Sequence, residues 1–215
     1  MSKFMNLSQK TGFYTVFLAL LFSVNVANAQ DDTAVETAET EEFEEKANIL
    51  SFSGSADAYF RANLNSKNTE VAGDYVAPTS SFANRPGFAL GMINLVASID
   101  TKKAGFVADI VYGPRGADAV FNSLGSPNIV NQLYAYWSPT DNFKLTLGNF
   151  NTFLGYEVIS PSANFNYSTS YMFSYGPFSH TGIKADLSIG ENASAMLAVM
   201  NPTDFTEFNP SGGFT

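Results

Sequence analysis

Residues Leu50 to Leu64 read LSFSGSADAYFRANL, and their order decides the fold. Leu50, Phe52, Gly54, Ala56, Ala58, Phe60, Ala62 and Leu64 are apolar or small. Ser51, Ser53, Ser55, Asp57, Tyr59, Arg61 and Asn63 stand between them. Successive side chains of a strand point to opposite faces, so this alternation gives one apolar face and one face of hydroxyls, amides and charges. Strands of soluble domains run about 5–6 residues, whereas a tilted strand crossing a bilayer needs roughly 9–11. Fifteen alternating residues are long for a sandwich and suit a membrane barrel.

The same pattern recurs downstream. Ala89, Gly91, Ile93, Leu95, Ala97 and Ile99 oppose Asn94, Ser98 and Asp100. Phe106, Ala108, Ile110 and Tyr112 oppose Asp109, with Val107 and Val111 as exceptions on the polar side. Leu133, Ala135 and Trp137 oppose Gln132, Tyr134 and Tyr136, and Leu145 and Leu147 oppose Lys144 and Thr146. Thr181, Ile183, Ala185, Leu187 and Ile189 oppose Gly182, Lys184, Asp186 and Ser188, and a weaker strand runs from Ser194 to Met200. Connections alternate in length. Thr101 to Ala104, Pro139 to Asn142 and Gly190 to Asn192 are short, while 65–87, 113–128, 151–178 and 201 onward are long. Bacterial outer-membrane barrels join strands this way, with short turns on the periplasmic side and long loops outside. The expected fold is therefore all-β: an antiparallel transmembrane β-barrel of about seven strands over 49–215.

Seven is an odd number, and a barrel in lipid cannot keep an unpaired edge. The sequence also closes on Gly212-Gly213-Phe214-Thr215 within an expected loop, so the barrel is expected to be incomplete at its C-terminus.

Two segments precede the strands. Lys3 and Lys10, an apolar run from Phe13 to Val24, and Ala27-Asn28-Ala29 form the pattern of a cleaved signal peptide over 1–29. Residues 30–48 carry Asp31, Asp32, Glu36, Glu39, Glu41, Glu42, Glu44 and Glu45 against Lys46, an acidic flexible linker. The net charge of −9 thus belongs mostly to this tail. From Ala47 onward twelve acids face eight bases, a net of −4. Nothing forms a basic footprint for nucleic acid. The absence of cysteine excludes disulfides and thiolate metal sites.

Chemistry is sparse. The single histidine, His180, follows Ser179, but no orienting third group is fixed by the sequence, so no catalytic residue, metal site or cofactor is expected. The polar positions are more informative. Asp57, Tyr59 and Arg61, then Asp109, then Tyr134 and Tyr136, then Lys184 and Asp186 face the lumen as expected pore-lining residues. Inner charges of both signs hold water and set a transverse field, or pair to stabilise the wall. The inward tyrosines would suit stacking against sugars or aromatic solutes. The 28 residues 151–178 are long for a hairpin loop, and Tyr156, Glu157, Asn164, Asn166 and Tyr167 are expected to form an inward constriction.

The segment from Gly148-Asn149-Phe150 through Leu154-Gly155-Tyr156-Glu157 and Asn164-Phe165-Asn166-Tyr167-Ser168 to Pro177 and His180-Thr181-Gly182 resembles the β-barrel porin family described as OmpL-like. Asn201-Pro202 after the seventh strand resembles the family pattern too. The resemblance spans roughly 50–210, the N-terminal portion of a typical member. It implies a diffusion channel in the outer membrane of a Gram-negative cell, with lipid and small solutes as partners and no substrate named. The alternative is a structural or adhesive barrel whose long loops bind a partner, to which Phe205, Phe208 and Phe214 would contribute. A soluble secreted β-sandwich is the remaining reading.

Overall fold

The computed structural model describes residues 15–23, 50–65, 67–69, 80–82, 85–123 and 126–210. The expected acidic linker, the cleavage site and Phe214 lie outside these residues. One antiparallel sheet holds every strand in sequence order: β1 (Thr15–Ser23), β2 (Ser51–Asn63), β3 (Gly87–Asp100), β4 (Ala104–Tyr112), β5 (Val130–Thr140), β6 (Phe143–Asn151), β7 (Ser179–Ile189) and β8 (Ala193–Met200). The seven strands read from the sequence are β2 to β8. Among the described residues the sheet is not closed, since neither β1 nor β8 has a second neighbour. β1 falls in the expected signal peptide and pairs along β2, from Thr15 opposite Asn63 to Ser23 opposite Ser55. Among the described residues no helix is long and apolar enough to cross a membrane.

The alternation sorts the two faces. Phe52, Phe88, Leu90, Leu95, Leu133, Trp137, Leu147 and Leu197 stand exposed on one side, Phe88 at 89%. On the other, Arg61 retains 1% of its surface, and Asp57, Tyr59, Asn63, Asn94, Asp109 and Thr146 are also buried. In water this would be an inverted protein, since ionic groups are rarely buried unless paired and large apolar patches are rarely left open. A sheet with lipid outside and polar groups inside requires the reverse arrangement.

Three register shifts interrupt the ladders; one lies near the β5–β6 turn, between Trp137 and Thr140, and the other two modify the simple alternation near the long loops. Ala56 pairs with Ile93 and Ala58 with Leu90, so Gly91 and Met92 together oppose Asp57. The expected grouping of Ala89 and Gly91 with Ile93 is therefore corrected. The extra residue reverses the faces at this point, and Phe88 and Leu90 share the apolar side with Ile93 and Leu95. The second bulge lies in β5. Asp109 pairs with Gln132 and Ile110 with Val130, leaving Asn131 as the extra residue.

Glycines opposite tyrosines let the sheet curve. A Cβ on Gly105 would lie 2.5 Å from the Tyr136 hydroxyl, and one on Gly148 (φ +135°) would lie 2.6 Å from the Cα of Tyr134. Each tyrosine thus covers a cross-strand glycine, a device that stabilises a bent sheet.

The apolar core sits at the long-loop end rather than within the sheet. Phe82, Met92, Val111, Ala119, Val120, Ile159, Phe173 and Phe178 form one buried cluster. Phe173 and Phe178 stack at 5.2 Å, and Phe82 lies 5.6 Å from Phe178. Val111, an exception to the alternation, is explained here. It points to the polar side where helix α1 (Pro114–Ala119) covers that side, and α1 packs against β3 and β4.

Candidate functional site

Asp57 is the meeting point of strand, bulge and loop. Its Oδ1 accepts the Met92 N–H at 3.1 Å, and its Oδ2 accepts the hydroxyl of Tyr167. The bulge turns the Met92 amide toward the carboxylate, and the missing side chain of Gly91 leaves room for it. Tyr167 belongs to the long loop 151–178, so this hydrogen bond fixes the loop to the polar face. The Tyr167 ring also lies 5.5 Å from that of Tyr59, whose hydroxyl accepts the Arg85 N–H at 3.3 Å. Burial, with the Asp57 hydrogen bond second, raises the Tyr167 phenol above its ordinary pKa, so it stays a donor.

The loop is built to hold this position. Asn164 acts as a strap: its Oδ1 accepts the Val158 N–H at 2.8 Å, and its Nδ2 donates to the Val158 carbonyl at 2.7 Å. A second short helix, α2 (Tyr171–Ser174), is capped by Ser170, whose Oγ accepts the Phe173 N–H at 3.2 Å. Glu157 completes that cap, accepting the Ser170 N–H at 2.9 Å and the Ser170 hydroxyl. Thr169 Oγ1 donates to the Ser81 carbonyl at 2.9 Å, and the Ser81 N–H donates to Ser174 Oγ at 2.7 Å. Arg115 of α1 donates from Nε to the Ile159 carbonyl at 2.8 Å and from Nη1 to the Tyr167 carbonyl at 3.1 Å.

The residues expected at the constriction therefore divide. Tyr167 reaches the wall, while Glu157 and Asn164 act inside the loop, and Tyr156 and Asn166 are exposed on it. The expected pore-lining residues divide as well. Asp57, Tyr59 and Arg61 lie buried at the wall near the loop, with Arg61 Nη2 donating to Asn63 Oδ1 at 3.1 Å. Asp109 is enclosed by three amide donors: Asn94 Nδ2, Asn131 Nδ2 at 2.7 Å and Gln132 Nε2 at 3.1 Å. Its charge is spent on the β5 bulge, holding two neighbouring amides on one side of the sheet.

Tyr134, Tyr136, Lys184 and Asp186 instead open onto a basin of about 780 Å³ toward the short-turn end, shared with Asp100, Gln132, Lys144 and Thr146. Lys184 Nζ lies 3.0 Å from Asp186 Oδ2, and Lys144, directly opposite Asp186, sits 4.6 Å over the Tyr136 ring. Tyr136 donates its hydroxyl to Asp100. Lys144 was not among the expected lining residues, although its place on the polar side of β6 marked it.

His180, at the entry of β7, stacks on Phe153 at 4.7 Å and has Nε2 3.1 Å from Thr152 Oγ1. Ser179 offers its N–H to Asp204 Oδ1 at 2.9 Å. The Ser179–His180 pair is thus engaged by two loops. No cluster of metal-ligating side chains occurs among the described residues.

A family model described as "Putative beta-barrel porin-2, OmpL-like" matches residues 49–214. The chain belongs to this family. The match begins one residue before the stretch that opens the alternation and runs through β2 to β8. As a member, the chain carries a porin-like antiparallel sheet whose long loop lies on its polar face. Neither the curated proteins nor the solved structures compared with the chain give a match.

Proposed function

We propose that the chain forms the wall and constriction of a water-filled channel in the outer membrane, through which small solutes diffuse passively. The observation that carries this reading is the seating of loop 151–178 on the polar face, through Tyr167 on Asp57, above a polar basin of about 780 Å³. A constriction needs a segment held in the lumen and polar space beyond it, and the Tyr167–Asp57 contact and the basin support that reading. The exposed apolar face is where outer-membrane lipid would lie. The mature barrel would begin after signal cleavage, placing β1 in the precursor. Diffusion of this kind uses neither cofactor nor catalysis.

Reconstitution of the full-length chain into planar bilayers tests the proposal. Stepwise ion conductance from folded, heat-modifiable protein is the expected result. Folded protein that inserts without conducting would defeat it. A second reading, a barrel whose loops bind a partner, draws on Tyr156, Phe165, Tyr171 and Tyr175, all exposed on the same loop. Inserted but silent protein would favour it.

A further inference from the structure

We propose that Arg115 is the positioning residue that sets the constriction, through a guanidinium gripping three long-loop segments at once. This inference rests on the channel reading for its electrical consequence but not for its structural one. Nε and Nη1 hold the carbonyls of Ile159 and Tyr167, on either side of the Asn164 strap. The guanidinium carbon lies 4.4 Å from the centre of the Phe82 ring, in the connection from β2 to β3, and 5.3 Å from that of Tyr167. Arg115 is 3% exposed.

The base of this grip is itself confined. Pro114 opens α1. Gly113 (φ +118°) approaches β3 so closely that a Cβ would lie 2.8 Å from the Gly91 carbonyl oxygen, and one on Gly116 would lie 3.1 Å from Val111. The helix thus stands on the sheet beside the Gly91 bulge, and the guanidinium extends from a fixed point. Tyr167 is consequently held from two sides: its hydroxyl by the wall and its carbonyl by Arg115. A planar fork that donates along two directions while stacking on rings is particular to arginine. Lysine supplies a point charge on a flexible stem.

The test is R115K in the full-length protein, read by amide hydrogen exchange of the detergent-folded barrel and by single-channel recording. Retention of charge with loss of the fork removes at least one charge-assisted hydrogen bond. Exchange in 157–170 is then expected to rise about tenfold or more, with β2 to β6 unchanged. Unitary current is expected to become noisier and larger. Unchanged exchange and unchanged current in R115K would overturn the proposal, and so would an equal rise across all strands. Should R115K fail to fold, R115Q removes the charge and the fork while keeping a neutral amide and leaving the Phe82, Phe173 and Phe178 packing in place. The same local rise supports the grip, and its absence refutes it. If the wild type does not conduct, the channel reading fails, and the exchange data alone decide the role of Arg115.

Discussion

Asp57 and Gly91 occupy facing positions on β2 and β3, and the Asp57 carboxylate fills the space that a side chain at position 91 would need. A Cβ built on Gly91 would lie 1.6 Å from Asp57 Oδ2. Gly91→Ala must therefore displace the carboxylate from both the Met92 N–H and the Tyr167 hydroxyl. The expected cost is about 2–4 kcal/mol, from overpacking and two lost hydrogen bonds. Urea unfolding of the barrel in lipid vesicles measures it. Wild-type stability in this variant would show that the carboxylate does not hold the bulge.

Tyr167→Phe removes one hydroxyl and keeps the ring on Tyr59. It is expected to destabilise the loop by about 1–2 kcal/mol, since the bond is to a carboxylate. The phenol pKa is raised in the fold, so its contribution is fully present below the ordinary value of about 10 and is lost as pH rises through the folded value. Loop exchange, corrected for intrinsic rates, should accordingly be flat from neutral pH to about pH 9 in the wild type. A midpoint within that range would contradict this assignment.

Asp109 and Lys184 should separate wall from lumen. Asp109→Ala leaves three amide donors without their acceptor and is expected to cost about 3 kcal/mol while leaving ion selectivity unchanged. Lys184→Glu breaks a partly exposed pair worth about 0–1 kcal/mol, yet places a negative charge beside Asp186 in the basin. Reversal potentials under a salt gradient should shift toward cations in Lys184→Glu alone. The same shift in both variants would mean that Asp109 faces the solute path.

Asp204 ties the segment after β8 to the start of β7, accepting the N–H groups of Phe178 at 2.7 Å and Ser179 at 2.9 Å. It holds a positive φ of 66°, which asparagine and aspartate tolerate best among residues other than glycine. Burial is the largest influence on its carboxyl and raises its pKa, outweighing the two N–H groups and His180. With a raised folded pKa, its contribution is greatest below the unfolded value near 3.9 and declines as pH rises through the folded value. Asp204→Asn keeps the acceptor and removes the charge, so it should match or exceed the wild type at pH 7. Asp204→Ala should expose 201–210 to limited proteolysis. Equal protease sensitivity of the two variants would refute the latch.

Glu157→Gln distinguishes a helix cap from a pore charge. Glu157 accepts from both the N–H and the hydroxyl of Ser170, so the amide variant should loosen α2 by about 1 kcal/mol. It should leave ion selectivity intact. A selectivity change without loosening would return Glu157 to the lumen.

The strands and their two faces were legible because lipid and water impose opposite demands on alternate residues, as from Leu50 to Leu64. The length of loop 151–178 was legible, but the hydrogen bond that seats Tyr167 on Asp57 was not, because the two residues lie 110 apart in the chain. The bulges were not, since an inserted residue has no composition of its own and Gly91 also fits a small position in a regular strand. Arg115 was missed for a different reason. Its hydrogen-bond partners are backbone carbonyls 44 and 52 residues away, and every residue carries a carbonyl. Val111 carried a trace of the answer, because an apolar residue on a polar face marks the place where something covers that face.

The location of the apolar cluster has a consequence for the order of assembly. Hairpins across the short turns join neighbours in sequence, whereas Phe82 and Phe178 meet across the four intervening strands β3 to β6, a closure with a larger entropic cost. Strand pairing should thus precede consolidation of the loops. A barrel could then be inserted and resistant to detergent while its mouth is still unset, so that maturation of permeability lags behind maturation of the wall.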